Sequence, residues 1–501
     1  MKLEPIWNIK TADISFKSLD RKISVDVAII GGGITGITTA QFLSNYGLKV
    51  AVLEARKVGQ GTTGQSTGNL YALTEFSLQE LKNKYDLATV QKIILARIQA
   101  VEHICDNAKR FAIDCDLKTQ PMFMFEKENG MDIEKEIEVL SHTGLAYSRL
   151  TKKHFPFPYE DGFVVEDQAQ FNPLRYTEKL AKQIYSDTCE IFEDTCVSDI
   201  VEEDEFLIVH ANENRVKARY VVHATHTPKG LLVQYHTTLG PYREYGIGVK
   251  LKNNNYPEGI FWGHFGDKKF SVRTYGLPSN PYLICVGSMH KVGQAGDNTQ
   301  NIQELEDFVK KHFDVESIIY KWGGQNYKPA DLLPYIGQKN AGSNEYIATG
   351  FATDGLVYGT LAAKIISDEI AGLKNEYSEL FKASRHQPLK AAEKFTKENI
   401  NVVGKLVGDF FKKGEDEQIA DLLPDEGKLL QYEDGKYAVY KNHRGEVTAL
   451  SPICPHMGCT VNWNKAEKTW DCPCHGSRFD TAGRVIEGPA LSGLKKIEND
   501  K

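Results

Sequence analysis

The chain has 501 residues, 41% hydrophobic and 25% charged, with 60 Lys and Arg against 67 Asp and Glu for a net charge of -7. At roughly 150 residues per domain that length allows about three folding units, and the mild acidity removes any broad electrostatic case for nucleic acid or an anionic membrane. No apolar run approaches the roughly 18 residues that cross a bilayer, and residues 1–22 lack the apolar core of a secretion signal, so a cytoplasmic protein with no membrane partner is expected.

Residues 25–30 form a β-branched run suited to a buried strand. Ile37, Ala40 and Leu43 then recur at helical spacing, and a second strand over residues 49–53 ends on Glu54. Between the first strand and the helix stands Gly31-x-Gly33-Ile34-Thr35-Gly36. In such a βαβ unit the glycines let the backbone approach a pyrophosphate, the helix N-terminus carries its charge, and Glu54 accepts from a ribose hydroxyl. NAD and FAD both satisfy this pattern. A second Gly/Thr/Ser loop over residues 59–68 follows directly and suits the longer dinucleotide.

Residues 77–111 carry one long helical pattern, and segments 122–125, 162–166 and 245–284 alternate as strands do, which predicts an antiparallel substrate-facing sheet. Within it Arg273 is a candidate clamp for a substrate carboxylate, and His290 is a candidate base. A salt-bridged edge arginine and a histidine satisfied by backbone are the plainer alternatives. Tyr245 and His226 are further candidates. Residues 220–225, YVVHAT, read as another buried strand, and the loop 350–355 opens a helix over 356–371 whose N-terminal dipole suits a flavin pyrimidine.

In this order the pieces over residues 24–385 resemble the D-amino-acid oxidase-like superfamily of FAD-dependent oxidoreductases. The resemblance implies a Rossmann-like α/β fold of two interleaved lobes, the second an α+β substrate sheet, with non-covalent FAD. It implies cofactor contacts from Gly31, Gly33, Ile34, Thr35, Gly36, Glu54, Ala55 and Arg56. The second loop would add Gly61, Thr62, Thr63, Gly64, Ser66 and Thr67. Val197 would lie by the adenine, with Ala224 and Thr225 nearby and Asp354, Gly355, Leu356 and Val357 at the isoalloxazine. Members typically oxidise a C–N bond of an amine or amino acid, so a small amine-type substrate is implied.

The flavin unit is expected over residues 1–371 and a connector over 372–415, where Val403, Leu406, Val407 and Phe410 form an apolar stripe suited to a packed helix. Residues 416–501 read as short strands and turns, a small all-β domain. There Cys454-x-His456 and Cys472-x-x-His475 are separated by 15 residues. Two thiolates and two imidazoles suit a tetrahedral zinc site or a Rieske [2Fe-2S] cluster. Each loop supplies one Cys and one His, whereas zinc fingers usually pair like ligands, and this favours iron–sulfur.

Residues 418–494 resemble Rieske domains. The resemblance implies that Cys459 and Cys474 form a disulfide tying the two loops, as in cytochrome bc complexes; two free thiols are the alternative in a reducing compartment. Respiratory Rieske proteins commonly carry Tyr where this chain has Phe479, so one hydrogen bond to sulfur is absent while Ser477 retains another. An intermediate potential within about -150 to +300 mV is therefore expected. Joined in one chain, FAD and the cluster imply a dehydrogenase passing electrons singly to an acceptor protein. The alternatives are entry of electrons from a ferredoxin or reductase through the cluster, and a redox sensor.

Overall fold

The computed structural model describes residues 4–8, 14–151, 155–228, 235, 238–385, 419–432 and 435–497. The stripe from Val403 to Phe410 lies outside the described residues.

The strand Ile23–Ile30, buried and apolar from Val27 onward, forms the centre of the first sheet, flanked in parallel by Val50–Leu53 and Asn214–His223. Cys189–Phe192 and Glu345–Thr349 extend it in parallel on the two sides, and Tyr335–Gln338 closes one edge antiparallel. The helices Ile34–Asn45 and Gly355–Ile370 are buried nearly all round, the first with its threonines inside. The strands at residues 25–30, 49–53 and 220–225 and the late helix are where the sequence places them.

The second sheet has nine strands, running Val315–Pro329, Leu239–Leu251, Tyr282–Lys291, Lys268–Tyr275, Ile260–Phe265, Lys118–Lys127, Asp161–Gln170 and Asn69–Leu70, with Tyr147–Arg149 on one side. It is antiparallel except between Ile260–Phe265 and Lys118–Lys127, which pair in parallel.

The helical stretch expected over 77–111 is two helices, Leu78–Lys84 and Leu87–Arg110. Asp86 breaks it: its carboxylate accepts from Thr89 N–H at 2.7 Å and so caps a new helix where the first one ends. The flavin module also runs past Ala371. Tyr377 and Phe381 pack into its core, and the Arg385 guanidinium grips Asp331 at 2.9 and 3.0 Å.

The C-terminal segment consists of two small antiparallel sheets, Glu426–Tyr432 with Gly435–Lys441 and Val447–Leu450, and a second of four short strands from Asn462–Asn464 to Val485–Glu487. It has its own core around Trp470, Phe479 and Leu450 and is seated against the second sheet of the flavin module.

Candidate functional site

A cavity of about 890 Å³ lies between the two sheets. At one end are Gly31, Gly33, Ile34 and Thr35, followed by Glu54, Ala55 and Arg56, then Gly61, Thr62, Thr63, Ser66 and Thr67. Val197, Ala224, Thr225, Gly355 and Leu356 also line it. Four expected contacts lie behind the wall. Gly36 lets the helix approach Gly31, where a Cβ would stand 1.9 Å from the Gly31 carbonyl oxygen, and Gly64 packs on Gly59 in the same way. Asp354 is buried beside Arg97 and accepts from Glu75 N–H at 2.8 Å, and Val357 faces the core.

These residues fit a dinucleotide. At Gly31, φ is +106° and a Cβ would meet the Ala224 carbonyl oxygen at 2.5 Å, so only glycine keeps the strand end open. The Glu54 carboxylate is aimed by two backbone amides, Gly32 N–H at 2.7 Å and Arg56 N–H at 2.8 Å. The helix starting at Ile34 has no side-chain cap from Gly33, and Thr63 Oγ1 takes the Ile34 N–H at 3.1 Å. Ile34 and Thr35, at this helix end, line the part of the cavity where a pyrophosphate would lie.

Neither catalytic candidate faces this cavity. Arg273 is fully buried, donates to the Gly68 carbonyl at 3.1 Å and the Phe171 carbonyl at 3.2 Å, and lies over Trp7. It braces the end of the loop from outside the cavity. His290 points to the opposite face of its strand. Arg243 pairs with His290 and Tyr245 with Gly287, so two residues, Ser288 and Met289, oppose Glu244 alone. Ser288 has φ +53°, and this bulge reverses the alternation beyond it. Ser288 therefore lines the cavity while His290 stacks on Tyr245 and meets Asn298 at 3.0 Å. Burial lowers its pKa and favours the neutral ring. Tyr245 borders the cavity but sends its hydroxyl to Asn464 at 3.3 Å, and His226 lies in the wall beside Thr62 at 3.1 Å.

In the C-terminal segment the four expected ligands converge. Cys454, His456, Cys472 and His475 are all buried, the Cys454 and Cys472 side chains are in contact, and the imidazole centroids are 5.0 Å apart. Cys459 and Cys474 form a disulfide with Cα atoms 6.5 Å apart. The Cys472 thiol lies within 4.8 Å of both disulfide sulfurs, which are already bonded to each other. The available donors are thus two thiols and two imidazoles, a set that fits a mixed Cys/His diiron cluster.

The two ligand loops repeat one device. Gly458 N–H donates to the Cys454 carbonyl at 3.0 Å and Gly476 N–H to the Cys472 carbonyl at 3.1 Å, with φ of +79° and +80°. Ser477 touches Cys454, and its Oγ accepts from Ala490 N–H at 3.0 Å.

Both imidazoles are covered: His475 is 2% exposed and His456 8%. The second loop is pressed on the flavin module. Gln325, a cavity-lining residue, donates to the carbonyl of Gly476 at 2.8 Å, and Tyr327 donates to the carbonyl of Gly488 at 3.2 Å. Glu487, Gly488, Ala490 and Leu491 complete one wall of the cavity. Sequence reasoning missed this shared wall, and no local signal marks it.

Residues 26–369 match the family model of FAD dependent oxidoreductases, and residues 414–498 match the Rieske [2Fe-2S] domain. The chain belongs to the FAD-dependent oxidoreductase family. This oxidoreductase binds FAD in its first module and a [2Fe-2S] cluster in its second. It is 30% identical to the putative Rieske 2Fe-2S iron-sulfur protein YhfW of Bacillus subtilis, over 99% of this chain and 98% of that one. Gamma-glutamylputrescine oxidoreductase of Escherichia coli is 21% identical over 71% of this chain and 86% of its own. Among solved structures, glycine oxidase from Geobacillus kaustophilus superposes with a TM-score of 0.60 at 17% identity, covering 73% of this chain and all of that one, which shows a shared fold. Among the described residues of the oxidoreductase no helix is long and apolar enough to cross a membrane.

Proposed function

We propose that this protein is a dehydrogenase that oxidises an amine or amino-acid-type substrate in the shared cavity and delivers electrons one at a time through the Rieske cluster to an acceptor protein in the cytoplasm. FAD held in this cavity would supply two-electron hydride chemistry, and a cluster held by the two loops would supply one-electron transfer. The chain's residues divide the remaining work. Residues 31–36, 54–56 and 61–67 hold the dinucleotide, and Cys454, His456, Cys472 and His475 hold the cluster. The cavity between them excludes bulk water and orients the substrate.

One observation carries this reading. Gln325 lines the flavin cavity and its amide donates to the carbonyl of Gly476, the residue after ligand His475, at 2.8 Å. A single hydrogen bond therefore separates a cavity wall from a cluster loop, which supports electron transfer within one chain without domain motion. An oxidase delivering both electrons to oxygen would need no such contact. The rim of the first loop, where Ile453 is 45% exposed beside Cys454, is the open approach for an acceptor. The names of the relatives, glycine oxidase and gamma-glutamylputrescine oxidoreductase, support the amine class.

Anaerobic mixing of the fully loaded protein with amines and amino acids tests the proposal. Flavin bleaching followed by a change in the cluster absorbance is the expected sequence. Silence with every amine, alongside rapid reduction by a ferredoxin system, would instead establish the reverse direction of flow.

A further inference from the structure

The cavity contains a carboxyl that has no hydrogen-bond or ion-pair partner among the described residues. Glu244 stands mid-strand in Leu239–Leu251, and it lines the cavity while its neighbour Arg243 reaches across to Glu467 of the Rieske module. The nearby acids are already engaged: Glu75 with Lys328 and with Thr353 N–H at 2.9 Å, Glu304 with Lys268 and Ser288. Among the described residues the Glu244 carboxyl makes no hydrogen bond or ion pair. Glu244 is only part-buried, its carboxyl open to the cavity, so a ligand there can supply the missing donor.

We propose that Glu244 receives the nitrogen of the substrate: the ammonium form enters, donates to the Glu244 carboxylate, and transfers one proton to it. The N–H bond breaks, an O–H bond forms on Glu244, and no electrons change hands. A neutral amine and a carboxylic acid remain, a pair that a poorly solvated cavity favours over two separated charges. The amine then carries the free lone pair that oxidation of its C–N bond requires. The hydroxyl of an alcohol or hydroxy acid carries no proton of comparable acidity, so the same carboxyl selects nitrogen compounds. The inference rests on the amine reading above.

Three charged groups face Glu244 from neighbouring elements. Glu75 comes from the loop before the Leu78–Lys84 helix, Lys328 from Val315–Pro329 and Lys269 from Lys268–Tyr275. Burial first, and then Glu75, raise the Glu244 pKa, and the two lysines oppose them, leaving it at about 8. A group poised there takes a proton near neutral pH and can return it.

The test is the anaerobic reductive half-reaction of the FAD-loaded full chain with glycine, L-proline and n-butylamine between about pH 6 and pH 10. In the wild type the rate constant of bleaching divided by the dissociation constant should rise through an acid limb near pH 8. Glu244→Gln should abolish that limb and weaken amine binding roughly tenfold or more, as loss of a charge-assisted hydrogen bond requires. Glu244→Asp should keep the limb with weaker binding, and it serves if the glutamine variant fails to fold. An unchanged limb and affinity in Glu244→Gln, or loss of the limb in Glu244→Asp, would overturn the assignment. Failure of all three amines to bleach the wild type would instead remove the amine reading, and the Glu244 role with it.

Discussion

Between Arg243 of the flavin module and Arg478 of the Rieske module lies one carboxylate, Glu467. It bonds Arg243 through two nitrogens and approaches Arg478 at 3.0 Å. Burial alone would raise its pKa, but the two guanidiniums outweigh that and hold it at about 2. Removing it leaves two buried cations, of which Arg478 keeps Asp471 at 3.0 Å. Glu467→Ala should therefore cost about 3 kcal/mol, the low end for breaking a buried pair, measured by denaturant unfolding. The sign of the pH dependence follows from a depressed carboxylate. Its contribution is complete above the ordinary value of 4.5 and is lost as pH falls toward about 2. The wild type should lose this increment across that window, and Glu467→Gln should not. Inside the Rieske core, Phe479 is fully buried in the same cluster as Cys454 and Cys472. Phe479→Tyr adds a hydroxyl there, and a hydrogen bond to sulfur withdraws electron density, so the cluster potential should rise in a redox titration. An unchanged or lower potential would contradict it.

The two cluster loops allow a paired test of what holds the modules together. Gly458 and Gly476 share a left-handed backbone, yet a Cβ on Gly458 would meet nothing within 4 Å, whereas one on Gly476 would stand 2.7 Å from Pro241 Cβ and 2.8 Å from Gln325 Nε2. Gly458→Ala should cost only the backbone strain, about 1 kcal/mol. Gly476→Ala should cost more and also slow electron transfer from flavin to cluster, because it pushes the loop off the wall. Equal effects of the two changes on that rate would show that the contact at Gly476 is dispensable. The bulge at Ser288 acts on the same scale. One extra residue re-aims every later side chain of its strand, which is why His290 faces Asn298 and Tyr245 while Ser288 lines the cavity.

Across the whole molecule, legibility in the sequence followed locality. The cluster quartet and the dinucleotide loop are short patterns whose chemistry is fixed by spacing, and their residues converge as those patterns require. Arg273 and His290 were misleading because a strand's alternation does not reveal a bulge or which carbonyls surround a guanidinium. Glu244 and Glu487 are ordinary acids in ordinary strands. Glu244 takes its meaning from the cavity it lines and Glu487 from His226 at 3.3 Å, 261 residues away, and both depend on a domain seating that no local period encodes. The same seating covers the second cluster loop, where Gly476 lies against Pro241 and Gln325.

The Val485–Leu491 stretch, which belongs to the Rieske module yet borders the cavity, also ties two equilibria together. Any ligand that binds more tightly when this wall is in place must, by reciprocity, tighten the seating of the Rieske module by the same factor. Ligand occupancy of the cavity and seating of the Rieske module are then conjugate quantities, each reinforcing the other.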